Sequence, residues 1–534
     1  GLPVAAPLSK MAVHKMDRPL QRMRSLLAVV AVGLALGWSL GLALPPGAAW
    51  AESGKAPPGR LTETECWFKA PEKITTRCYH LSVPESRAGR SDIVLEIPVV
   101  VVSIKETRKR EDPVVYLAGG PGDGAWLDAE RIDFWWEFVA DNAWVNERDL
   151  ILVDQRGTGL VNPRMDCTEY EPLQVEALSF GLDRQKSHDA WLAAAAACRK
   201  RVEAEGHDPL SYTSRDSATD LHDLMTALGL KQWNVYGLSY GTRLALTYLR
   251  DYPQDFRSVI LDSVYLPESQ FIEDDAWRTD RAFRVLFDGC RHDADCDRWY
   301  PDLEGRLQRL VDKLNVTPID QEVDLPEGGK AKVVVTGDML LGYLFQNLYN
   351  RSAIEAVPQI IDLFDKGDAD AVASEIGYMV DQFLDRPDWG DALGLSVDCH
   401  EEVPFNNLKK LQADYRKYPL LKSFAEDDSW GAACAVWPMG PVDPVENAPI
   451  FSAVPALLLT GLYDPVTPPQ YARLAGSRLV NSYYFEFPSV GHDVLSNEPC
   501  AGEIAKLFLD DPTRMPTHEC LGELQPPDFR PPAR

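Results

Sequence analysis

The chain has 534 residues, 45% hydrophobic and 25% charged, a balance that excludes a disordered polymer and fits one large or two modest globular domains. A net charge of −27 excludes a surface that holds nucleic acid or anionic lipid by charge. It leaves room for cationic ligands, although a plain soluble acidic surface is the simpler account.

From Met11, the residues His14, Lys15, Arg18, Arg22 and Arg24 precede an uncharged apolar run from Leu26 to Leu44, and Ala49-Trp50-Ala51 then supplies a small-x-small site. That order reads as an export signal cleaved after Ala51. The length of the run also admits an uncleaved membrane anchor. No later stretch is apolar enough to span a bilayer.

Export changes how the 10 cysteines are read, because an even count in an oxidising compartment favours disulfides. Pairing neighbours in order would join Cys66 with Cys78, Cys167 with Cys198, Cys290 with Cys296, Cys399 with Cys434, and Cys500 with Cys520. Spacing alone leaves the connectivity open. No C-x-x-C pair or histidine cluster has zinc-like spacing, so no metal is expected.

From about residue 92, β-rich runs alternate with helical patterns. "DIVLEIPVVVVSI" reads as one or two strands, "PVVYLAGGPG" as a strand ending in a glycine loop, and "RDLILVDQRGTG" repeats that form. "SATDLHDLMTALGL" is an amphipathic helix, with Leu221, Leu224, Met225 and Leu228 at helical spacing. "KQWNVYG" follows as a strand, "TRLALTYLRDYP" as a helix and "FRSVILDSV" as a strand. Such alternation predicts a mostly parallel sheet with helices on both faces, whose ligands gather at the carboxyl ends of the strands.

The pattern breaks after residue 266. Residues 267–448 are rich in helical patterns, with one β-like piece, "AKVVVTGDML", and sheet-like text returns at "VPALLLTGLYDPVTP" and "SYYFEFPSVGHDV". The expected organisation is an α/β domain in two parts, 52–266 and 449–534, interrupted by a helical cap at 267–448. The Pro-rich end "LQPPDFRPPAR" is expected to be disordered.

The chemistry centres on "NVYGLSYG", where Ser239 stands between Gly237 and Gly241 at a strand-to-helix junction. A nucleophile at such a turn needs strained backbone angles, and side chains two residues to either side would collide with neighbouring elements. A serine also needs a base and an orienting acid. Asp464 and His492 end the next two expected strands, in the order Ser, Asp, His. The backbone N–H of Tyr240 and of Gly119 or Gly120 would form an oxyanion hole. Arg156 is read as structural, bracing the glycine loop. Acyl transfer of this kind requires no cofactor.

These residues together resemble the prolyl-aminopeptidase group of α/β hydrolases, in particular its secreted tripeptidyl-aminopeptidase-like branch. The resemblance rests on "GGPG" at 119–122, "DQRGTG" at 154–159, "GLSYG" at 237–241, "DPVTP" at 464–468, "GH" at 491–492 and the Cys-containing C-terminal segment. It implies a serine exopeptidase with a helical cap, acting on peptides with a free N-terminus. Ala118 stands where prolyl aminopeptidases proper carry histidine before the two glycines, which points away from a strict proline preference.

An exopeptidase must bind a terminal ammonium, and a buried cation needs a counter-charge. Two acidic segments offer one: Glu268, Glu273, Asp274 and Asp275, or Asp398, Glu401 and Glu402. The second is preferred, with Glu401 matching a Cys-x-acid pattern of the relatives. Rival readings are an exported carboxylic-ester hydrolase with the same triad and a silent hydrolase fold used for binding.

Overall fold

The computed structural model describes residues 59–105, 109–325, 328–384 and 389–533. The expected export signal before residue 52 lies outside the described residues. Among these, no helix is long and apolar enough to cross a membrane.

Nine strands form one sheet: β1 (Arg60–Thr64), β2 (Ile74–Pro84), β3 (Val94–Ile104), β4 (Val114–Leu117), β5 (Leu150–Val153), β6 (Trp233–Leu238), β7 (Phe256–Asp262) and, after β8 (Ile319–Asp324) and β9 (Lys330–Val335), β10 (Ala456–Gly461) and β11 (Ser482–Phe487). Their order is β1-β2-β3-β5-β4-β6-β7-β10-β11, with β8 and β9 paired separately. From β5 to β11 every neighbouring pair is parallel, and β1 to β3 add an antiparallel extension at one side. The structure thus has the expected α/β-hydrolase architecture, although its sheet begins earlier in the chain than the apolar pattern does. β1 reads "RLTET" and lies half exposed at the edge, so no hydrophobic signal announces it.

The central strands are apolar throughout because helices cover both faces. In β6, Val235 packs into one core while Tyr236 and Leu238 pack into the other, and β7 divides Val259 and Leu261 from Ile260 in the same way. The first core includes the helices Ser214–Ala227 and Tyr240–Asp251; the second includes Asp133–Asp141 and Pro499–Asp510.

Between β7 and β10 the described chain forms helices and the β8–β9 hairpin, packed around a third core. Tyr463 and Val466, next to Asp464, belong to this core, so the helical segment and the sheet edge share packing. So does Phe529 of the C-terminal end, only 3% exposed. The expectation of a disordered tail is therefore corrected: Arg530 N donates to Glu355 O at 2.9 Å, Tyr300 OH donates to Arg530 O at 2.7 Å, and Gln359 Nε2 donates to Pro531 O at 2.6 Å. One buried aromatic and a set of backbone bonds outweigh the helix-breaking composition.

All ten cysteines pair in sequence order, closing loops of 6 to 35 residues. Loops of that size each contribute typically about 2–4 kcal/mol. Thiol titration of the denatured, unreduced protein is expected to find no free cysteine, and reduction is expected to lower the melting temperature markedly.

Candidate active site

Ser239 follows β6 and precedes the helix Tyr240–Asp251, with φ 57° and ψ −122°. For a side chain other than glycine these angles cost on the order of 1–3 kcal/mol and persist only where surrounding contacts enforce them. The flanking glycines show what enforces them here. A Cβ on Gly237 would lie 2.4 Å from Gly241 O, and one on Gly241 would lie 2.1 Å from Leu117 O of β4. Strand, turn and helix are in backbone contact, so the serine is held out at the tip.

The glycine loop after β4 closes over it. A Cβ on Gly119 would come within 3.1 Å of the Ser239 Cβ. No hydrogen bond from the N–H of Gly119, Gly120 or Tyr240 to another described residue is present, so these donors can serve an oxyanion beside Ser239. The loop is braced by the residues after β5. Asp154 accepts from Ala125 N at 2.7 Å and Leu160 N at 2.8 Å, and Gln155 Nε2 donates to Ala118 O at 2.9 Å. Arg156 is structural, but its partners are different from those expected. Its buried guanidinium holds Asp220 at 2.7 and 2.8 Å, together with Glu85 O and Ser211 O, and does not reach the glycine loop.

Asp464 is both a turn former and a partner for histidine. Its Oδ1 accepts from Val466 N and Thr467 N, each at 2.8 Å. Its Oδ2 accepts from Thr467 Oγ1 at 2.7 Å and from His492 Nδ1 at 2.9 Å. Asp and Thr three apart in "DPVTP" thus fix the carboxylate in one orientation. His492 is 1% exposed, and its Nε2 is buried without a hydrogen-bond partner among the described residues. Burial alone would lower the His492 pKa. Pairing with Asp464, reinforced by the charges of Asp262 and Asp493, outweighs that and raises it above the ordinary 6.5.

Gly491 explains why glycine precedes this histidine. A Cβ there would lie 1.9 Å from Leu348 O, in the helical segment, and His492 N donates to Tyr349 O at 2.9 Å. That segment also holds the acid loop: Arg281 donates to Asp464 O at 3.2 Å and Leu462 O at 2.8 Å, and Arg278 donates to Val466 O at 2.9 Å. Gly390 N donates to Gly122 O at 2.8 Å. These contacts were not anticipated from sequence, because arginines on an amphipathic helix read as solvated.

A family model described as "alpha/beta hydrolase fold" matches residues 112–290, and one described as "TAP-like protein" matches residues 419–520. The chain belongs to the α/β hydrolases. This α/β hydrolase is 24% identical over 449 residues to the serine protease Hip1 of Mycobacterium tuberculosis, covering 78% of this chain and 82% of that one. It is 25% identical over 437 residues to the tripeptidyl aminopeptidase of Streptomyces coelicolor, covering 76% of each chain. The putative hydrolase YuaR of Escherichia coli is 25% identical over 435 residues, covering 75% of this chain and 79% of its own.

The acidic residues considered for a substrate amine are placed as follows. Glu268 pairs with Arg478, Glu273 lies 3.1 Å from Lys410, Asp274 accepts from Tyr471 OH at 3.1 Å, and Asp275 lies 3.1 Å from Arg278. Glu401 is wholly buried: Oε1 accepts from Ser214 N at 2.6 Å, and Oε2 accepts from Ser214 Oγ at 2.6 Å and Arg243 Nε at 3.1 Å. Ser214 Oγ also shares a 2.7 Å hydrogen bond with Tyr240 OH, which ties this cluster to the residue after Ser239. Glu402 meets Arg243 Nη1 at 2.6 Å, and burial pushes its carboxyl up to about 7 despite that partner. Asp398 is partly exposed, and its carboxyl is raised by burial and by the charge of Glu402. Asp398–Glu402 form a turn of π-helix, a form concentrated at functional sites.

Three outcomes are expected. A fluorophosphonate should label Ser239, and Ser239→Ala should abolish labelling; persistent labelling at another serine would reassign the nucleophile. The labelling rate should rise with pH through a midpoint above 6.5, since only a neutral His492 accepts the serine proton and its pKa is raised. Asp464→Asn should lower that rate roughly 10³- to 10⁴-fold while the protein still melts cooperatively.

Proposed function

We propose that this α/β hydrolase is an exported serine aminopeptidase that cuts peptide bonds near a free N-terminus through an acyl-enzyme, with residues 267–448 as its cap. Ser239 Oγ attacks the scissile carbonyl while His492 Nε2 takes its proton, and Asp464 at Nδ1 orients the ring and stabilises the imidazolium. The N–H groups of Tyr240 and of Gly119 or Gly120 receive the oxyanion. His492 then protonates the leaving amine, and water releases the acyl peptide by the same steps.

The observation that carries the peptidase reading is the charge around Arg243. Asp398, Glu401 and Glu402 surround this single buried guanidinium, so the cluster holds more carboxylates than cations beside Tyr240. An ester substrate gives no reason for such a surplus; a terminal ammonium does. Glu401 is consumed by Ser214 and Arg243, so the reading assigns ammonium contact to Asp398, backed by Glu402. The names of the peptidase relatives support the substrate class, and five disulfides fit an oxidising compartment.

The test compares a short peptide amide with its N-acetyl form. The free amine should be cleaved about 10- to 10²-fold faster in kcat/KM, the value of a charge-assisted contact. Asp398→Asn should remove most of that preference while fluorophosphonate labelling persists. Equal rates on the two peptides, with faster turnover of a simple carboxylic ester, would replace the aminopeptidase by an esterase.

A further inference from the structure

Asp262, the last residue of β7, and Ser263 after it are wholly buried and take no part in the reaction as written above. Together they touch every segment that supplies the expected triad. Asp262 O accepts from Ser239 N at 3.0 Å, fixing the nucleophile's turn. The Asp262 carboxylate accepts from Val494 N at 2.9 Å and Leu495 N at 2.8 Å, just beyond His492. Ser263 Oγ donates to Asp262 Oδ1 at 3.1 Å and accepts from Asp493 N at 2.9 Å. Ser263 N donates to Leu459 O of β10, the strand that leads to Asp464, at 2.9 Å. Ser263 and Asp493 both hold left-handed backbones, at φ 59° and 65°, which non-glycine residues keep only when surrounding contacts compel them.

We propose that Asp262 is a positioning residue of the triad, whose carboxylate sets where His492 stands relative to Ser239 and whose negative charge steadies the imidazolium formed during acyl transfer. This rests on the triad and is independent of the substrate class. When the Ser239 Oγ–H bond breaks, the proton moves to His492 Nε2 and the ring becomes a cation. Asp464 meets that cation at Nδ1. Asp262 and Asp493 act on it through space.

The titratable groups facing this array are few. Asp262 is faced by Asp493 and His492 from the histidine loop, by Tyr116 from β4 and by Tyr236 from β6, whose phenols are pushed up by burial and then by nearby carboxylates. Asp123 also acts on Tyr116. His492 is faced in addition by Asp464 and by the Tyr349 ring, 5.0 Å away, while Arg281 reaches the backbone of Asp464. Burial raises both Asp262 and Asp493, and the charge of Asp493 raises Asp262 further. A new imidazolium near both carboxylates offsets that repulsion, so the pair favours the protonated ring.

The test uses the full chain and a fluorophosphonate, so no peptide enters it; loss of labelling in Ser239→Ala would first verify the nucleophile. Asp262→Asn removes the charge and turns one acceptor into a donor. In this variant the plateau labelling rate per folded molecule should fall about 10- to 100-fold. The midpoint of the pH profile should move down by about half a unit to one unit. Ser263→Ala keeps the charge but loses the Asp493 N contact, so its rate should fall while its midpoint stays in place. A folded Asp262→Asn with an unmoved midpoint, or with the wild-type rate, would overturn the proposal. If Asp262→Asn does not fold, a wild-type rate in Ser263→Ala would overturn it.

Discussion

Everything at the carboxyl edge of the sheet depends on backbones lying closer together than a Cβ atom permits. Gly237 meets the backbone of Gly241, and Gly241 meets Leu117 O. On the other side of Ser239, a Cβ on Gly461 at the end of β10 would lie 2.1 Å from Gly491 O, and Gly491 itself rests on Leu348 O. These contacts form two stacks, one under the serine and one under the histidine. A methyl group in either would have to move main chain, and overpacking of that kind costs typically about 1–3 kcal/mol or more. The site is therefore set by main-chain packing before any side chain adopts a rotamer.

Buried charge does the complementary work between elements. Arg243, on the helix after Ser239, reaches Glu401, Glu402 and the backbone oxygens of Leu266, Pro267 and Glu446. Arg156 joins Asp220 to the chain near Glu85 and Ser211. Removing a guanidinium from water costs several kcal/mol, and the ion pair offsets this only with near-complete hydrogen bonding. Both arginines have it, and in both cases the partners come from segments distant in sequence.

Much of the fold was legible because its signals are local. Alternating strands and helices placed Ser239, Asp464 and His492 at strand ends, and cysteine order matched the disulfides because each pair closes a short loop. What stayed hidden depends on distance contacts. β1 is a polar edge strand that forms by pairing with β2, and Phe529 is one aromatic among prolines whose pocket is built by helices far earlier in the chain. Glu401 carries the same letter whether it meets solvent, substrate or Arg243. Asp262 was within reach: it ends a strand already read as such, at the edge where ligands gather, but a lone aspartate before serine carries no motif.

The ties between the helical segment and the sheet edge bear on how far the two can be exchanged separately. Tyr349 O holds the amide of His492, Arg278 and Arg281 hold the acid loop, and Gly390 holds the loop at Gly122. Exchanging that whole segment for one from another hydrolase would, in the same cut, remove the contacts that hold the backbone at His492, at Asp464 and at Gly122. A chimera joined at β7 and β10 would therefore keep the sheet and lose the contacts that hold the ends of its strands in place.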